Sequence, residues 1–166
     1  MEYNDLGLVR AVQAGDREAL ELLVRRWYPR VYGYVYRMVG SEMDADDVTQ
    51  EVFLALLRGI SGYQPWKKFE NWLFTIAHHK CMDHFRLQKR EYPTELPDIP
   101  GGDCMEDAVA LRAAVEGLKP VQRETVLLYY AYGFTAREIA HMTGTTLPTV
   151  KSRLAAAKKA LKEALK

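Results

Sequence analysis

A chain of 166 residues with 48% hydrophobic and 27% charged side chains and a formal net charge of +1 has the composition of an ordinary folded protein of one domain or two small ones, which excludes a wholly disordered chain. No apolar run approaches the roughly 20 residues of a membrane span, and MEYNDLGLVR has neither a basic n-region nor an apolar h-region, so a cytoplasmic protein without membrane insertion is expected. Cys81 and Cys104 are too few for a disulfide framework, and both are expected as reduced thiols.

The elements all read as helical. Gly15-Asp16 starts a helix in which Leu20, Leu23, Val24, Trp27, Tyr28 and Val31 follow the 3.6-residue period, with Pro29 expected to kink it and Gly40 to stop it. Ser41-Glu-Met-Asp44 opens a second helix, DADDVTQEVFLALLRG. On it Asp47, Gln50, Glu51 and Leu54 share one face, at i, i+3, i+4 and i+7, while Val48, Val52, Ala55 and Leu56 cover the opposite side. Acidic stripes are commonly solvated faces. Leu54 among the carboxylates points further, to a surface that docks on a basic helix.

The stretch GYQPWKKFENWLFTIAHHKCMDHFRLQKR interleaves aromatic rings with cations, and its helix is predicted from near Phe69 to about Lys89. Rings stack on unpaired bases and cations track a backbone, a mixture suited to single-stranded nucleic acid. Phe69, Trp72, Leu73 and Ile76 have the spacing of core residues. Tyr63, Trp66, Lys67 and Lys68, in a loop broken by Gly62 and Pro65, are the better candidates for contact. His78, Cys81 and His84 stand at i, i+3 and i+6, which raises a metal or redox site. Three-residue steps drift round a helix and no fourth ligand is evident, so neither a metal nor a cofactor is expected.

Charge divides the chain into three. Residues 1–90 hold 13 Lys/Arg and 12 Asp/Glu, residues 91–107 hold none and 6, and residues 108–166 hold 10 and 4. The middle segment, EYPTELPDIPGGDCMED, has no apolar periodicity and reads as a flexible acidic linker able to span up to roughly 60 Å. Beyond it helices are predicted over Met105 to Gly117 and Pro120 to Tyr132.

TAREIAHMTGTTLPTVKSRL, Thr135 to Leu154, then reads as a helix-turn-helix. Thr135 and Glu138 form a T-x-x-E capping box, Gly144 permits the positive φ that ends the first helix, and Thr146 caps the second. Pro148 sits in that helix's first turn, where its missing N–H is harmless. Val150 and Leu154 face the first helix, which leaves Thr149, Lys151, Ser152 and Arg153 turned toward phosphates and base edges. A solvated helical hairpin shares this outline, but seven of the ten C-terminal cations lie from Arg137 onward. The fold expected is all-α: two small helical domains, 1–90 and 108–166, joined by the linker.

The ordered set of the DADDVTQEVFLALL helix, W-x-x-F-x-x-W-L-x-x-I-A with D-x-x-R, a short linker, and L-x-P-x-Q-R-E before VKSRL resembles bacterial sigma factors of the extracytoplasmic-function group. It covers the chain from about Asp16 to Leu161. The resemblance implies that Asp44, Asp47, Gln50, Glu51 and Leu54 dock on the beta-prime clamp helices of core RNA polymerase. Tyr63, Trp66, Lys67, Lys68 and Phe69 then lie in the loop that captures a flipped base of the minus-ten element, with Asn71, Trp72, Lys80, Asp83 and Arg86 on the helix beside it. Arg137, Thr146, Pro148, Thr149, Lys151, Ser152 and Arg153 fall to the minus-thirty-five duplex. A beta-flap contact and an anti-sigma factor are implied as further partners, and since no regulatory domain follows Lys166, control is expected to come from outside. The sequence departs from the family at His79, where Asn is usual, at Thr145 for Ile, at Pro148 for Gly, and at Ala155 and Ala156, where His and Arg are common.

Two other functions are compatible with parts of the chain. A stand-alone helix-turn-helix regulator would bind duplex without polymerase, as a dimer, and has no use for the N-terminal helices. An enzyme is not expected: G-x-x-x-x-G-K-[ST], H-E-x-x-H and G-x-S-x-G are all missing, and adjacent Asp46 and Asp47 diverge by about 100° on a helix.

Overall fold

The computed structural model describes residues 4–64, 68–88 and 106–166, and among these every regular element is helical. The chain divides into two compact units, Met1–Lys89 and Arg90–Lys166.

The first unit begins with a helix not predicted from the sequence, α1 (Asp5–Gln13), started by Asn4, whose Oδ1 accepts from the Gly7 N–H at 2.7 Å. α2 (Arg17–Val39) is capped by Asp16, which accepts from the Glu18 and Ala19 N–H groups, and ends at Gly40 with φ +80°. It runs through Pro29 as one element. Pro29 and Arg25 are both exposed, so the carbonyl that loses its helical partner faces water. Ser41 accepts from the Asp44 N–H to start α3 (Glu42–Gly59), and after a 3₁₀ turn at Ile60–Gly62 comes α4 (Phe69–Gln88).

α2 is the hub, packing on α1, α3 and α4. It buries Leu23, Trp27, Val31, Tyr34, Val35 and Met38 against Leu8 and Val9 of α1, Val48, Val52 and Leu56 of α3, and Leu73, Phe74 and Ala77 of α4. Tyr34 meets Phe74 edge to face at 5.6 Å, a geometry that adds to what burial alone contributes. Gln13 at the end of α1 donates to the carbonyls of Ile60 and Tyr63, which ties the N-terminal helix to the approach of the α3–α4 loop.

In the second unit, α5 (Glu106–Glu116) takes up the last two residues of the expected linker; residues 91–105 lie outside the described set. α6 (Pro120–Val126) continues as a π turn over Leu127–Ala131, closed by the Tyr132 N–H on the Leu127 carbonyl at 3.1 Å. The extra residue in that turn keeps Leu127 and Leu128 inside and sets Tyr129 and Tyr130 outside. Arg123 and Glu124 of the Q-R-E run are buried, so that part of the motif belongs to the interior. α7 (Ala136–Thr143) and α8 (Leu147–Ala164) form the helix-turn-helix, with Ile139, Ala140, Met142, Val150 and Ala157 buried.

Candidate docking and nucleic-acid interfaces

α3 carries the acidic stripe as its periodicity requires. Asp47, Gln50, Glu51 and Leu54 are exposed, Leu54 at 45%, while Val48, Val52 and Leu56 are buried behind them. Asp44 is more enclosed, with His84 Nε2 3.7 Å from its Oδ2, and Lys80 Nζ lies 3.9 Å from Glu51 Oε2. Across from the stripe stands α4. The two helices bound a shallow groove of about 470 Å³ whose walls include Gln50, Glu51 and Leu54 on one side and Lys80, Asp83 and Leu87 on the other. Residues assigned separately to protein docking and to nucleic acid thus share one groove.

The aromatic loop departs from expectation at Tyr63. Its ring is 7% exposed, 4.9 Å from Trp72 and 5.8 Å from Phe69, because the 3₁₀ turn and the two hydrogen bonds from Gln13 bring the chain back against α4. Burial, and secondarily Asp5, raises its phenol pKa above the ordinary tyrosine value. As a surface contact Tyr63 is therefore corrected: it is part of a buried aromatic cluster with Phe69 and Trp72. Phe69 is buried as its spacing predicts, edge-on to Trp27 at 5.8 Å, and Trp72 is half-buried. Gly59 makes room for Trp72, since a Cβ there would stand 3.1 Å from the indole. Trp66 and Lys67 lie outside the described residues.

Lys68 is exposed at the head of α4, and Asn71 half-buried one turn later. Further along, Arg86 Nη2 pairs with Asp83 Oδ1 at 2.9 Å while remaining largely in solvent. His78 is buried and its ring lies 5.5 Å from that of His79. Desolvation first, and His78 second, lower the His79 pKa, with Asp83 opposing. Among the described residues no three His, Cys, Asp or Glu side chains converge as metal ligands.

In the helix-turn-helix the Glu138 N–H donates to Thr135 Oγ1 at 3.1 Å and the Thr135 N–H to Glu138 Oε1 at 3.3 Å, completing the capping box. Gly144 takes φ +66°. Thr146 Oγ1 accepts from the Thr149 N–H, and the two hydroxyls lie 2.8 Å apart, so Thr149 is engaged in the cap as well as present at the surface. Arg137, Pro148, Lys151 and Ser152 are exposed, Arg153 is half-buried, and Ala155 and Ala156 continue the exposed face without a polar group.

One surface escaped the sequence reading. Tyr28, Tyr32 and Tyr36, at i, i+4 and i+8 on α2, stack ring on ring at 6.1 and 6.0 Å, and Tyr28 stacks on Phe53 of α3 at 5.4 Å. Burial, then Asp46, raises the pKa of Tyr28 and of Tyr32, which places the ladder beside the acidic helix. The four-residue spacing was the available signal.

Residues 23–91 match the family model for Sigma-70 region 2, and residues 108–161 that for Sigma-70, region 4. The ECF RNA polymerase sigma factor SigE of Mycolicibacterium smegmatis is 32% identical over 91% of this chain and 64% of its own length, so the chain spans just under two thirds of that relative. SigK of Mycobacterium ulcerans, of the same description, is 31% identical over 95% of this chain and 91% of its own. The sigma factor RpoE of Bartonella quintana, solved with the anti-sigma factor NepR, shares the fold at a TM-score of 0.76 and 22% identity over 88% of this chain and 96% of that one. An engineered region 2 of sigmaE, solved with GTAAAA, gives a TM-score of 0.50 and 34% identity over 54% of this chain and 96% of that one. With both Sigma-70 regions in order along it, the chain belongs to the extracytoplasmic-function group of RNA polymerase sigma factors.

Proposed function

We propose that this chain binds core RNA polymerase, carries it to particular promoters and helps open them, as a non-enzymatic initiation factor acting in the cytoplasm. The observation that carries this reading is the coexistence, in one chain, of an exposed acidic helix with Leu54 in its stripe and a fully capped helix-turn-helix with a cationic outer face. We assign Asp44, Asp47, Gln50, Glu51 and Leu54 to the polymerase, with opposite charge steering the encounter and Leu54 supplying apolar contact. To the minus-ten strand we assign Trp66, Lys67, Lys68, Asn71, Trp72, Lys80, Asp83 and Arg86, with Tyr63 and Phe69 as the buried platform beneath. The relative solved with GTAAAA, similar to the first unit, supports single-strand contact there. Arg137, Thr146, Pro148, Thr149, Lys151, Ser152 and Arg153 are assigned to the minus-thirty-five duplex.

Opening then requires no covalent step: unstacked bases are trapped as they leave the duplex, which offsets a cost of a few kcal/mol per base. Because RpoE of Bartonella quintana is solved with an anti-sigma factor, a regulator of that class is expected here too. Among the described residues no helix is long and apolar enough to cross a membrane. A stand-alone regulator leaves the Sigma-70 region 2 unit without a task. Transcription from a candidate promoter with purified core polymerase, with and without this chain, tests the proposal: strict dependence on both supports it, and tight specific duplex binding by the chain alone with no transcription overturns it.

A further inference from the structure

We propose that the edge of α2 facing α1 and α4 is a phosphate track for single-stranded nucleic acid, on which Asp5 and Glu70 hold Arg26 and Arg30 until backbone phosphates displace them. The inference rests on reading α4 as a single-strand surface, and it extends that path onto a helix not otherwise assigned to DNA.

Arg26 and Arg30 stand one helical turn apart. Arg26 Nη1 donates to Asp5 Oδ1 at 3.0 Å, an oxygen that also accepts from Trp27 Nε1 at 3.2 Å. Arg30 reaches Glu70 Oε1 with both Nε, at 2.8 Å, and Nη2, at 2.7 Å. Two shallow depressions meet along this edge, sharing Trp27 and Glu70. The one of about 290 Å³ is bounded by both arginines, and the one of about 310 Å³ reaches Phe69 and Lys68. The two depressions adjoin at Trp27 and Glu70, with the exposed Lys68 at the head of α4 lining one and the two arginines of α2 lining the other.

Carboxylate and phosphate oxygens are alike as anionic acceptors of guanidinium N–H groups, and each arginine is held here through a single carboxylate oxygen, a place that one oxygen of a phosphodiester can take. The exchange is easy because all four side chains are between about a third and two fifths exposed, and exposed ion pairs contribute little to stability. Holding the helices together does not require these pairs: α1 is anchored by buried Leu8 and Val9 and by Gln13, and α4 by Phe69, Leu73 and Phe74. A strand arriving here also releases counterions, a drive that an internal carboxylate lacks.

The test uses the full chain and a fluorescein-labelled oligothymidylate of about 15 nucleotides, titrated by anisotropy between about 50 and 200 mM salt. Arg26→Ala/Arg30→Ala is expected to flatten the slope of log K against log salt by about 1.4, two single-strand phosphates at about 0.7 each. Asp5→Asn/Glu70→Gln, which removes both competing carboxylate charges, is expected to tighten binding several-fold at low salt. An unchanged slope in the arginine variant, with equal loss of melting temperature in both double variants, overturns the track and leaves only internal ion pairs. A chain that supports core-dependent transcription yet binds no oligothymidylate overturns it too, while leaving the sigma-factor assignment intact. Stronger competition by polyglutamate than by unlabelled oligothymidylate would give this edge to an acidic protein and likewise overturn it.

Discussion

Lys80 Nζ stands 3.9 Å from Glu51 Oε2, so a cation assigned to the DNA strand and a carboxylate assigned to polymerase meet across the α3–α4 groove. Each competes with an outside partner for the other. On the assignments proposed above, a basic helix that takes Glu51 removes the internal partner of Lys80, so docking on polymerase and grip on the strand are expected to be coupled through this side-chain pair.

Glu51→Gln tests that coupling. Glu51 is 58% exposed, so the internal pair contributes at most about 0.5 kcal/mol and thermal stability should hardly move. Affinity for core polymerase should fall by about three- to tenfold, the loss of one interfacial charge contact. Affinity of the isolated chain for a single strand should rise, because Lys80 loses its internal partner. Titration of labelled chain with core enzyme, and of labelled oligonucleotide with chain, reads the two effects separately; a fall in both sinks the coupling.

Tyr63→Ala separates platform from contact. A buried aromatic ring packed on Trp72 and Phe69 should cost about 3 kcal/mol or more when truncated, whereas a surface tyrosine would cost under about 0.5. For a unit of this size that is a fall in melting temperature of about 12 °C or more. Tyr63→Leu, which keeps apolar volume, should recover much of the stability. Calorimetry showing less than about a 3 °C change for Tyr63→Ala would return the ring to the surface.

These two sites mark where the sequence stops being legible. Everything that defines the helix-turn-helix is local: Thr135, Glu138, Gly144, Thr146 and Pro148 act within four residues of their partners, so their spacing alone predicts the caps the structure contains. The α3 stripe is legible for the same reason, since one period fixes both faces. Tyr63 was misread because its burial depends on Gln13, fifty residues away, which no window along the chain contains. The short α1 offered only Asn4 and a brief apolar pattern, and its helix is completed by packing on α2. The groove joining Glu51 to Lys80 is likewise a product of helices meeting, invisible in either helix separately.

His79 predicts a dependence on pH. Its pKa is lowered in the folded chain, so the unfolded chain binds more protons once pH falls through the ordinary imidazole value, and stability drops from that point down to the folded pKa. Melting temperature should therefore be lower at pH 5.5 than at pH 7.5, and part of that difference should vanish in His79→Asn. Identical pH profiles for the two proteins would assign the loss to other groups.

Ala156→Arg addresses the bare stretch of the recognition helix. Ala155 and Ala156 are exposed and carry no polar group, so between Arg153 and Lys158 the outer face of α8 has no cation. Arginine is nearly as good a helix former as alanine, and an exposed substitution in the middle of α8 should leave stability within about 0.5 kcal/mol. One added phosphate contact should steepen the salt dependence of duplex binding by about 0.9 in log–log slope and tighten binding at low salt. Anisotropy with a duplex carrying the upstream element gives the slope directly. A steeper slope on matched and scrambled duplexes alike is the expected signature of a phosphate contact, because base edges are read by other side chains. No gain on either duplex would mean that this face of α8 does not approach the backbone, and the register assigned to the recognition helix would have to be rotated.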